Sequence, residues 1–523
     1  MNNNRIALNI IVKNEEKFLK GCLESVKNLV DEIVIADTGS TDNTIEIASK
    51  YTDKILYFNW TGDFSEARNF VLNNTDSEWI LYLDADERID SKYHNKIKEL
   101  VKRTDVDAYQ LRIRSLIKDG NNTQVHIVPY PRLFRKMENV KFEGKIHEQI
   151  TPSLLRAGAK FESTDIIIEH MGYSQSDEII EAKKKRNLEA LIEQVKNEPK
   201  NAYALFQLGQ NYITLGYTDD GVRCLTNALK LNTLTNPVKA TILSTLAKYQ
   251  YDKRNIDSAI ELCKLSLQIA PSQLFAKLLL SEILFSIKKV EESIELLKDA
   301  LVLAKIPENT RKIDVATDIS YDPSFINYLL GQRFQVLGLL DEAIQSYKEA
   351  LEFKKDFNEV MLELAGIYFY RQNYDKTYYY LSKINIDKIK SIDMLMNIAG
   401  LFDELKKYRE CKNVLKKVID MNPENAKAHF FIGNCYLYES NLEKAEEYFL
   451  NAFKLQPQVP ETIMNLAYVN IKKKNYIAAY EYYKILETMN PDDQDIKQKI
   501  KALEMKIYFE NNDFQRVSSD DKK

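Results

Sequence analysis

Apolar residues in the first third of the chain fall into short continuous runs, which are separated by segments with helical spacing. The continuous runs predict buried strands at Ile6–Val12, Glu32–Asp37, 54–60 and 79–83. Apolar positions that recur every three or four residues predict helices between those strands, at 15–29, 41–51 and 63–74. Strands that alternate with helices in this way predict a mostly parallel sheet covered by helices on both faces.

Residues 105–173 are less regular. Segments 108–117 and 165–169 have the apolar content of strands, and we expect loops between them. In the regular part, Asp37 and Asp84 each end a strand. Ligands of open α/β sheets bind outside the carboxyl ends of the strands, so both carboxylates should line one crevice.

The remainder of the chain repeats. A small residue recurs, mostly at intervals of 34 residues, at positions 209, 247, 281, 331, 365, 399, 433 and 467. A second small residue follows twelve positions later in most units, and this pattern is the tetratricopeptide signature. Such arrays form a curved solenoid whose concave face usually binds peptide or protein. A structural spacer or a dimerisation element is the alternative.

These patterns divide the chain into four parts. They are an α/β domain at 1–175, a helical linker at 176–198, a repeat array at 199–510 and a polar tail at 511–523. The array holds about eight repeats, and we expect the tail to be disordered. The gap between positions 281 and 331 is longer than the others, and it contains an insertion near 304–323 that we expect to be a long loop.

Composition narrows the class of protein. The 523 residues include 15 glycines and 12 prolines, and so few breakers favour helix over turn-rich β structure. The hydrophobic fraction of 45% excludes wholesale disorder, and the net charge of −4 excludes a generally basic nucleic-acid binder. Because the five cysteines have no CxxC spacing, we expect neither a disulfide framework nor a zinc cluster, and we expect a reducing compartment.

The sequence also predicts the cellular location. Its apolar stretches do not approach the roughly 20 residues that a membrane span needs. The apolar run near the N-terminus is too short for a signal peptide. We therefore expect a soluble, cytoplasmic protein.

Asp84 and Asp86 are the main chemical signal. Two carboxylates separated by one residue at the end of a buried strand can hold a divalent cation such as Mg²⁺. Mg²⁺ takes oxygen ligands, which carboxylates and phosphates often supply together. An ordinary acidic turn is the alternative. Asp37 ends an earlier strand, where a carboxylate can accept a hydrogen bond from a base or a ribose hydroxyl. Simple polarity at a strand end is the alternative for Asp37.

Three segments resemble the family 2 glycosyltransferases, which have the GT-A fold: 9–16 (NIIVKNEE), 31–44 (DEIVIADTGSTDNT) and 79–88 (WILYLDADER). Further segments are similar to a bacterial subgroup that includes sublancin-type peptide S-glycosyltransferases and related enzymes with tetratricopeptide repeats. These segments are 63–69 (DFSEARN), 132–135 (RLFR), 144–148 (GKIHE), 170–173 (HMGY) and 185–187 (KRN). The resemblance implies a Rossmann-like GT-A catalytic domain, with a mostly parallel sheet, followed by an all-α tetratricopeptide solenoid.

The family resemblance implies sugar transfer from a nucleotide sugar, expected to be a UDP-sugar, with inversion at the anomeric carbon and with Mn²⁺ or Mg²⁺ as cofactor. By that resemblance, Asp37 holds the nucleoside and Glu16 borders the nucleotide pocket. Asp84 and Asp86 contact ribose, metal and diphosphate. A late histidine completes the metal shell in many GT-A enzymes, so His170 is the candidate third ligand. A structural histidine is the alternative.

Three arginines are candidates for the donor pocket. Arg68, on the helix after the third strand, can reach either the phosphates or Asp84, and an ordinary helix salt bridge is the alternative. Arg132 and Arg135 can bind phosphate oxygens, or they belong to a solvated basic loop.

Inverting transfer also needs a general base, which takes the proton of the acceptor. The adjacent His147 and Glu148 are the candidates, and Glu148 is preferred. The alternative is that the pair forms hydrogen bonds with neighbouring loops and has no catalytic role.

The leading hypothesis is a metal-dependent glycosyltransferase that modifies a protein or peptide side chain, through Ser, Thr or Cys. The array would bind this acceptor, for example flagellin or a bacteriocin precursor. One alternative is a cell-envelope glycan glycosyltransferase, and another is a non-catalytic tetratricopeptide scaffold with a vestigial sugar domain. We expect no nucleic-acid partner and no membrane span. Arrays of this kind often dimerise, so a homodimer is one expected assembly.

Overall fold

The computed structural model has an α/β region followed by a long series of helices. It describes the backbone of residues 4–119, 122–146, 148–171 and 177–520, and the side chains in those ranges except at 117–124, 177–184 and 510–520. The chain divides into two compact units, Met1–Leu339 and Leu340–Lys523. Within the described ranges, no helix is long and apolar enough to span a membrane.

A nine-stranded sheet forms the centre of the first unit. In chain order its strands are β1 (Ile6–Val12), β2 (Glu32–Asp37), β3 (Ile55–Tyr57), β4 (Trp79–Tyr82), β5 (Glu87–Ile89), β6 (Ala108–Asp119), β7 (Asn122–Arg135), β8 (Phe161–His170) and β9 (Asp318–Ser320). Their order across the sheet is β3-β2-β1-β4-β7-β6-β8-β5, and β9 pairs with β7. The predicted parallel sheet is confirmed for the first four strands, since β1 pairs in parallel with β2 and β4, and β2 with β3.

Helices cover both faces of the parallel strands. The helices of this region are α1 (Leu19–Val26), α2 (Thr44–Ala48), α3 (Phe64–Asn73), α4 (His94–Leu100), α5 (Thr151–Arg156) and α6 (Asp177–Asn197), with a short 3-10 helix at Ser91–Tyr93. Alternate residues of β1 face opposite sides: Leu8 packs with Leu23 of α1, whereas Ala7 packs with Leu72 of α3. Burial on both faces explains why these strands are continuous apolar runs in the sequence.

Several elements are shorter than the sequence pattern predicts. The helix expected at 15–29 begins at Leu19, because the polar residues before it bind the loop after β2. The side chain of Asn14 accepts a hydrogen bond from the N–H of Thr41 at 2.7 Å, and the N–H of Glu16 donates to Asp42 at 3.2 Å. Hydrogen bonds to distant loops therefore determine where the helix starts.

The main difference from the sequence prediction lies in the irregular segment. Residues Asn122–Arg135, which were expected to form a loop, form the strand β7. This strand pairs antiparallel with β6 and with β4. Pro129 and Pro131 argue against a central strand, because proline cannot donate to a ladder. However, β4 pairs with β7 at 133–135 and β9 pairs with it at 125–127. Both partners pair with the side of β7 that faces away from β6. In the described sheet, Pro129 and Pro131 lie between them, at a stretch of that side that has no neighbouring strand.

Helical hairpins follow α6, as the repeat period predicts. Their helices are α7 (Ala202–Thr214), α8 (Thr218–Lys230), α9 (Asn236–Asp252), α10 (Ile256–Ile269), α11 (Leu274–Ser286), α12 (Val290–Ala304), α13 (Pro323–Val336), α14 (Leu340–Phe353), α15 (Asn358–Tyr370), α16 (Tyr374–Lys383), α17 (Ile392–Glu404), α18 (Tyr408–Met421), α19 (Ala426–Tyr438), α20 (Leu442–Leu455), α21 (Pro460–Lys472) and α22 (Tyr476–Met489). A 3-10 helix at Ile386–Lys388 and a final helix, α23 (Gln494–Asp520), complete the series. Among the described residues, α7 to α22 correspond to eight successive repeats.

The small repeat residues allow close packing of the two helices in a hairpin. A Cβ atom added at Gly221 of α8 would lie 2.7 Å from the carbonyl oxygen of Gly209 in α7. At the other end of the array, α23 covers most of the segment predicted as a disordered polar tail. The described part of that segment is therefore helical, and residues 521–523 lie outside the described residues.

The insertion expected to be a long loop returns to the sheet. Its strand β9 pairs with β7, with Ile319 opposite His126. We name residues 306–320 the strap. Arg112 of β6 donates hydrogen bonds to the carbonyl oxygens of Glu308 and Arg311, at 2.6 and 2.7 Å. Because the strap adds to the sheet, the sheet and the first three repeats lie in one compact unit, which extends beyond the predicted boundary near residue 175.

Candidate active site

The helix α3 positions the loop at 141–148. The N–H of Phe64 donates to the carbonyl oxygen of Lys145 at 2.9 Å. The side-chain amide of Asn69 bonds both backbone groups of Phe142, at 2.7 and 2.9 Å. Asp63 caps the helix by accepting hydrogen bonds from two N–H groups of its first turn. The segment at 63–69 therefore holds the loop that carries Glu148 against the sheet.

Arg68 of α3 lies at the centre of the site and is 6% exposed. Its Nη2 atom is 2.5 Å from Oδ1 of Asp84, and its Nε atom donates to Oε1 of Glu148. The guanidinium carbon also lies 5.0 Å from the ring centroid of Tyr82. Arg68 thus joins the end of β4 to the loop at 141–148.

A β-bulge in β7 directs Arg132 toward the same place. The β6–β7 register shifts by one residue, so that Pro131 and Arg132 together lie opposite Gln110. Bulges of this kind change the direction of a side chain and are common next to active sites. Nη2 of Arg132 lies 3.2 Å from Oδ2 of Asp84 and 2.8 Å from Oε1 of Glu87.

Asp84 is therefore held between two arginines. Burial raises the pKa of this carboxyl, but the charges of Arg68 and Arg132 outweigh burial and hold the pKa below its ordinary value. Both carboxylate oxygens accept hydrogen bonds from arginine. The predicted metal set of Asp84, Asp86 and His170 does not form a group of three ligand atoms within 4.8 Å of one another among the described residues.

Asp86 and His170 form the second half of the site. The antiparallel pairing of β5 with β8 brings them together, and it places Oδ2 of Asp86 3.3 Å from Nε2 of His170. Ser115 of β6 bonds the other ring nitrogen at 3.1 Å, which orients the imidazole. Burial lowers the pKa of His170, but the hydrogen bond and the charge of Asp86 outweigh it, so that the pKa lies above 6.5.

Glu87 also belongs to the site and was not identified from the sequence. It is 1% exposed, and it accepts hydrogen bonds from Arg132 and from the N–H of Asp84. Burial raises the pKa of Glu87 to about 7, although Arg132 opposes this shift. Its position directly after the motif at 84–86 could have indicated that Glu87 belongs to the site. The sequence did not predict the strand β5, which buries it.

The loop after β2 forms another part of the crevice. Asp37 is 4% exposed and accepts hydrogen bonds from the N–H groups of Gly39 and Ser40, both at 3.1 Å. The exposed Glu16 accepts two hydrogen bonds from Asn43, at 2.9 and 3.1 Å. Because β2 and β4 both run parallel to β1, Asp37 and Asp84 lie at the same edge of the sheet, as predicted.

Three further predicted residues have different outcomes. Glu148 is 13% exposed in its side chain and is ion-paired with Arg68. His147 lies outside the described residues. Arg135 pairs with Glu78 and lies opposite Trp79, the first residue of β4, so it is at the far end of that strand from Asp84. Arg135 is therefore not a phosphate ligand of this site, because it lies away from Asp84. It is not part of a solvated loop either, because it belongs to β7.

The first helix of the array borders the site. Gln149 donates hydrogen bonds to the hydroxyl groups of Tyr130 in β7 and Tyr203 in α7, the latter at 2.7 Å. The ring of Tyr130 lies 5.9 Å from the guanidinium carbon of Arg132. Burial raises the pKa of both tyrosines, so both keep their protons at neutral pH. A continuous series of contacts thus connects Arg132 to the first repeat.

The site has more acidic than basic groups. Arg68 and Arg132 contact three carboxyl groups, those of Asp84, Glu87 and Glu148, and Asp86 pairs with His170 instead. Carboxylate oxygens are the ligands that a hard divalent cation prefers.

Two family models match this chain. The family model described as Glycosyl transferase family 2 matches residues 8–159, a range that includes Asp37, Asp84, Arg132 and Glu148. The family model described as Tetratricopeptide repeat matches residues 206–273 and 401–460.

Two relatives show how much of the chain is shared. A TPR repeat-containing protein of Synechococcus elongatus is 29% identical over 273 residues, which are 50% of this chain and 66% of that protein. The SPbeta prophage-derived glycosyltransferase SunS of Bacillus subtilis is 30% identical over 267 residues, which are 50% of this chain and 59% of SunS. The chain thus spans about three fifths to two thirds of the length of these relatives.

Among solved structures, the C-terminal part of a TPR repeat-containing protein from Cytophaga hutchinsonii is 12% identical and has a TM-score of 0.40. The match covers 49% of this chain and 98% of that chain.

Proposed function

The chain contains a family 2 glycosyltransferase domain followed by tetratricopeptide repeats, and on that basis we propose that it transfers a sugar from a nucleotide sugar to a protein or peptide side chain. The proposed donor is a UDP-sugar, and the transfer inverts the anomeric carbon. The arrangement at the carboxyl end of β4 carries the proposal. There Arg68 and Arg132 hold Asp84 beside the paired Asp86 and His170.

Asp86 and His170 fit a Mn²⁺ or Mg²⁺ ion. Their facing atoms are 3.3 Å apart, and their side chains are 16% and 25% exposed, so a cation and a diphosphate could reach both. The carboxylate oxygen of Asp86 is a ligand type that both ions prefer. When bound, such an ion would stabilise the negative charge of the departing diphosphate.

The remaining donor contacts are assigned by position. Arg68 and Arg132 both contact Asp84 just after β4, and they can hold phosphate oxygens in addition to this carboxylate. Asp37 and Glu16 line the part of the crevice next to β1, where we place the nucleoside. In this arrangement Asp84 positions the two arginines.

Glu148 is the proposed general base. The acceptor oxygen or sulfur attacks the anomeric carbon, the bond from that carbon to the diphosphate oxygen breaks, and the acceptor proton passes to Glu148. The ion pair with Arg68 holds the carboxylate in place. His147 remains the second candidate for this role.

The first repeat supports a protein or peptide acceptor, for example flagellin or a bacteriocin precursor. Tyr203 of α7 contacts Gln149, which directly follows Glu148, so a segment bound along this helix would lie near the proposed base.

The five cysteines are all free within the described residues, which supports a reducing, cytoplasmic location.

The test is nucleotide release from a panel of nucleotide sugars, measured with Mn²⁺ or Mg²⁺ and with or without candidate peptides. We expect metal-dependent release from one donor and transfer to a peptide. Asp86→Asn should abolish both, whereas the matched control Asp53→Asn, at an exposed position outside the site, should change neither. Glu148→Gln should abolish transfer.

The outcomes separate the hypotheses. If no donor shows metal-dependent release, the enzyme hypothesis is refuted and the scaffold alternative gains support. Release that no peptide accelerates, together with transfer to a glycan acceptor, would favour the cell-envelope alternative.

A further inference from the structure

Three potential metal ligands from two neighbouring repeats meet in the second unit. Asp403 belongs to α17, Cys411 to α18 and Cys435 to α19. One ligand atom of each residue lies within 4.8 Å of the other two. In the part of the chain that the structure describes, this is the one such group of histidine, cysteine or acidic residues.

Asp403 and Cys435 differ from the residues at the same positions of the adjacent repeats. The positions 34 residues before and after Asp403 are Phe369 and Leu437, and those of Cys435 are Leu401 and Val469. The positions before and after Cys411 are Thr377 and Ala445. In the two adjacent repeats, apolar side chains thus occupy the positions of Asp403 and Cys435. A carboxyl group at such a position is unfavourable unless it has a partner.

One carboxylate oxygen of Asp403 lacks such a partner in the described structure. Its Oδ1 atom is buried and has no hydrogen-bond partner. Burial raises the pKa of Asp403 above its ordinary value, with a smaller contribution from Glu404. A buried oxygen of this kind requires an explanation, and an ion is one of the usual ones.

The two thiols are better shielded than the carboxyl group. Cys411 and Cys435 are 1% and 0% exposed, and both belong to the same apolar cluster. Sulfur ligands favour Zn²⁺ and related thiophilic ions over Mg²⁺ or Ca²⁺, which take oxygen ligands. The chemistry of this group therefore differs from that of the proposed catalytic metal.

Contrary to the expectation from cysteine spacing, we propose that Asp403, Cys411 and Cys435 bind Zn²⁺, or an equivalent thiophilic divalent ion, between the sixth and seventh repeats. Zinc takes thiolate at about 2.3 Å and carboxylate at about 2.0–2.2 Å, so its tetrahedral ligands lie roughly 3.6–3.8 Å apart. Atoms within 4.8 Å of one another reach that spacing by an inward shift of about 1 Å, which side-chain rotation can supply. Water fills the fourth position, as in other zinc sites with three protein ligands.

Binding of the ion changes the charges of its ligands. Both thiols lose their protons to solvent, so two thiolates and one carboxylate receive the two positive charges of the ion. The ion then connects α17 and α18 of one repeat to α19 of the next. This connection should stabilise the packing of the two repeats, because an ion that binds the folded state raises its stability.

The experiment uses the full-length protein, reduced with a phosphine and freed of metal. Titration with Co²⁺ should produce the ultraviolet absorption of a thiolate–cobalt bond at one equivalent, and Zn²⁺ should displace it. This signal requires sulfur, so binding of Co²⁺ at Asp86 and His170 does not contribute to it.

The variants copy the neighbouring repeats to preserve the fold. They are Cys435→Val, Cys411→Ala and Asp403→Leu, which reproduce Val469, Ala445 and Leu437. Each cysteine variant should lose the absorption, and Asp403→Leu should weaken binding about tenfold or more. The matched control Cys224→Ala, at a half-buried cysteine of the first unit, should bind as the wild type does.

A second readout is the thermal unfolding of the helices, followed by circular dichroism. Zn²⁺ should raise the midpoint of the wild type and of Cys224→Ala and leave that of Cys435→Val unchanged. The proposal is overturned if the reduced wild type shows no thiolate–cobalt absorption, or if the absorption persists in Cys435→Val.

Discussion

Replacing Arg68 by methionine removes the cation that joins Asp84 to Glu148 and keeps most of the apolar contact with Tyr82. The side chains of Arg68 and Glu148 are 6% and 13% exposed, so water cannot replace the guanidinium at Glu148. The side chain of Asp84 is 41% exposed and retains Arg132 as a partner, so Asp84 loses less stabilisation than Glu148 does. The perturbation therefore acts mainly on Glu148.

Removing one partner of a buried ion pair costs about 3–5 kcal/mol, since the other charge stays buried. Because one of the two carboxyl groups retains water and a second arginine, we expect the lower limit, about 3 kcal/mol, for Arg68→Met. Glu148→Gln leaves Arg68 paired with Asp84, and we expect a loss of about 1–2 kcal/mol. The double variant carries neither charge, so its loss should be smaller than the sum by about 1–3 kcal/mol.

Urea unfolding followed by tryptophan fluorescence measures these free energies. The two tryptophans, Trp60 and Trp79, lie on either side of α3 in the sequence, and Trp79 is completely buried in β4, so the signal reports on the sheet. Nucleotide release measured on the same samples shows whether the lost ion pair also affects the proposed reaction. We expect no transfer in any of the three variants.

Lys145→Met is the matched control. Lys145 lies in the same loop as Glu148, and its ion pair with Glu193 is exposed, so its removal should cost less than about 1 kcal/mol. If the losses of Arg68→Met and Glu148→Gln add within about 0.5 kcal/mol, the two side chains are not coupled and the reasoning is refuted.

Other parts of the chain allow equally direct tests. Gly221→Ala should destabilise the first unit by about 1–3 kcal/mol in thermal unfolding, because the new Cβ would meet a backbone oxygen at 2.7 Å. Gly366→Ala, where a Cβ meets nothing within 4 Å, should instead stabilise its helix by up to about 1 kcal/mol. Arg311→Met leaves Asp318 of the strap buried without its cation, so we expect a loss of about 3–5 kcal/mol and new protease cleavage within 306–320; an unchanged cleavage pattern would contradict the role of the strap. Burial raises the pKa of Glu32, but its hydrogen bonds outweigh burial and lower the pKa to about 2. The stability that this carboxylate contributes is therefore present above pH 4.5 and is lost as the pH falls through about 2. Between pH 5 and 2, the wild type should lose about 3 kcal/mol more than Glu32→Gln, and equal acid unfolding of the two proteins would refute the assignment.

Local periodicity was sufficient to predict β1, β2 and the helical repeats. A strand buried on both faces is a continuous apolar run, and two packed helices need small residues at a constant interval, so both features can be read within a short window. The carboxylates of Asp37 and Asp84 could be placed at one edge for the same reason, since parallel strands align their carboxyl ends.

The strand β7 could not be predicted in this way. Its two prolines argue against a central strand, and they are tolerated because they fall between β4 and β9 on one edge. One of those partners comes from the strap, nearly 200 residues later in the chain. The bulge that directs Arg132 depends on the pairing of β7 with β6.

The sequence therefore established the fold class, the repeat array and the carboxylates at the end of β4, because each depends on residues close together in the chain. Tertiary structure decided which charges face one another. Arg68 meets both Asp84 and Glu148, Glu87 becomes buried through β5, and Cys411 approaches Cys435 across two repeats. These contacts depend on strand pairing and helix packing between segments distant in the chain, and no local pattern of residue types records them.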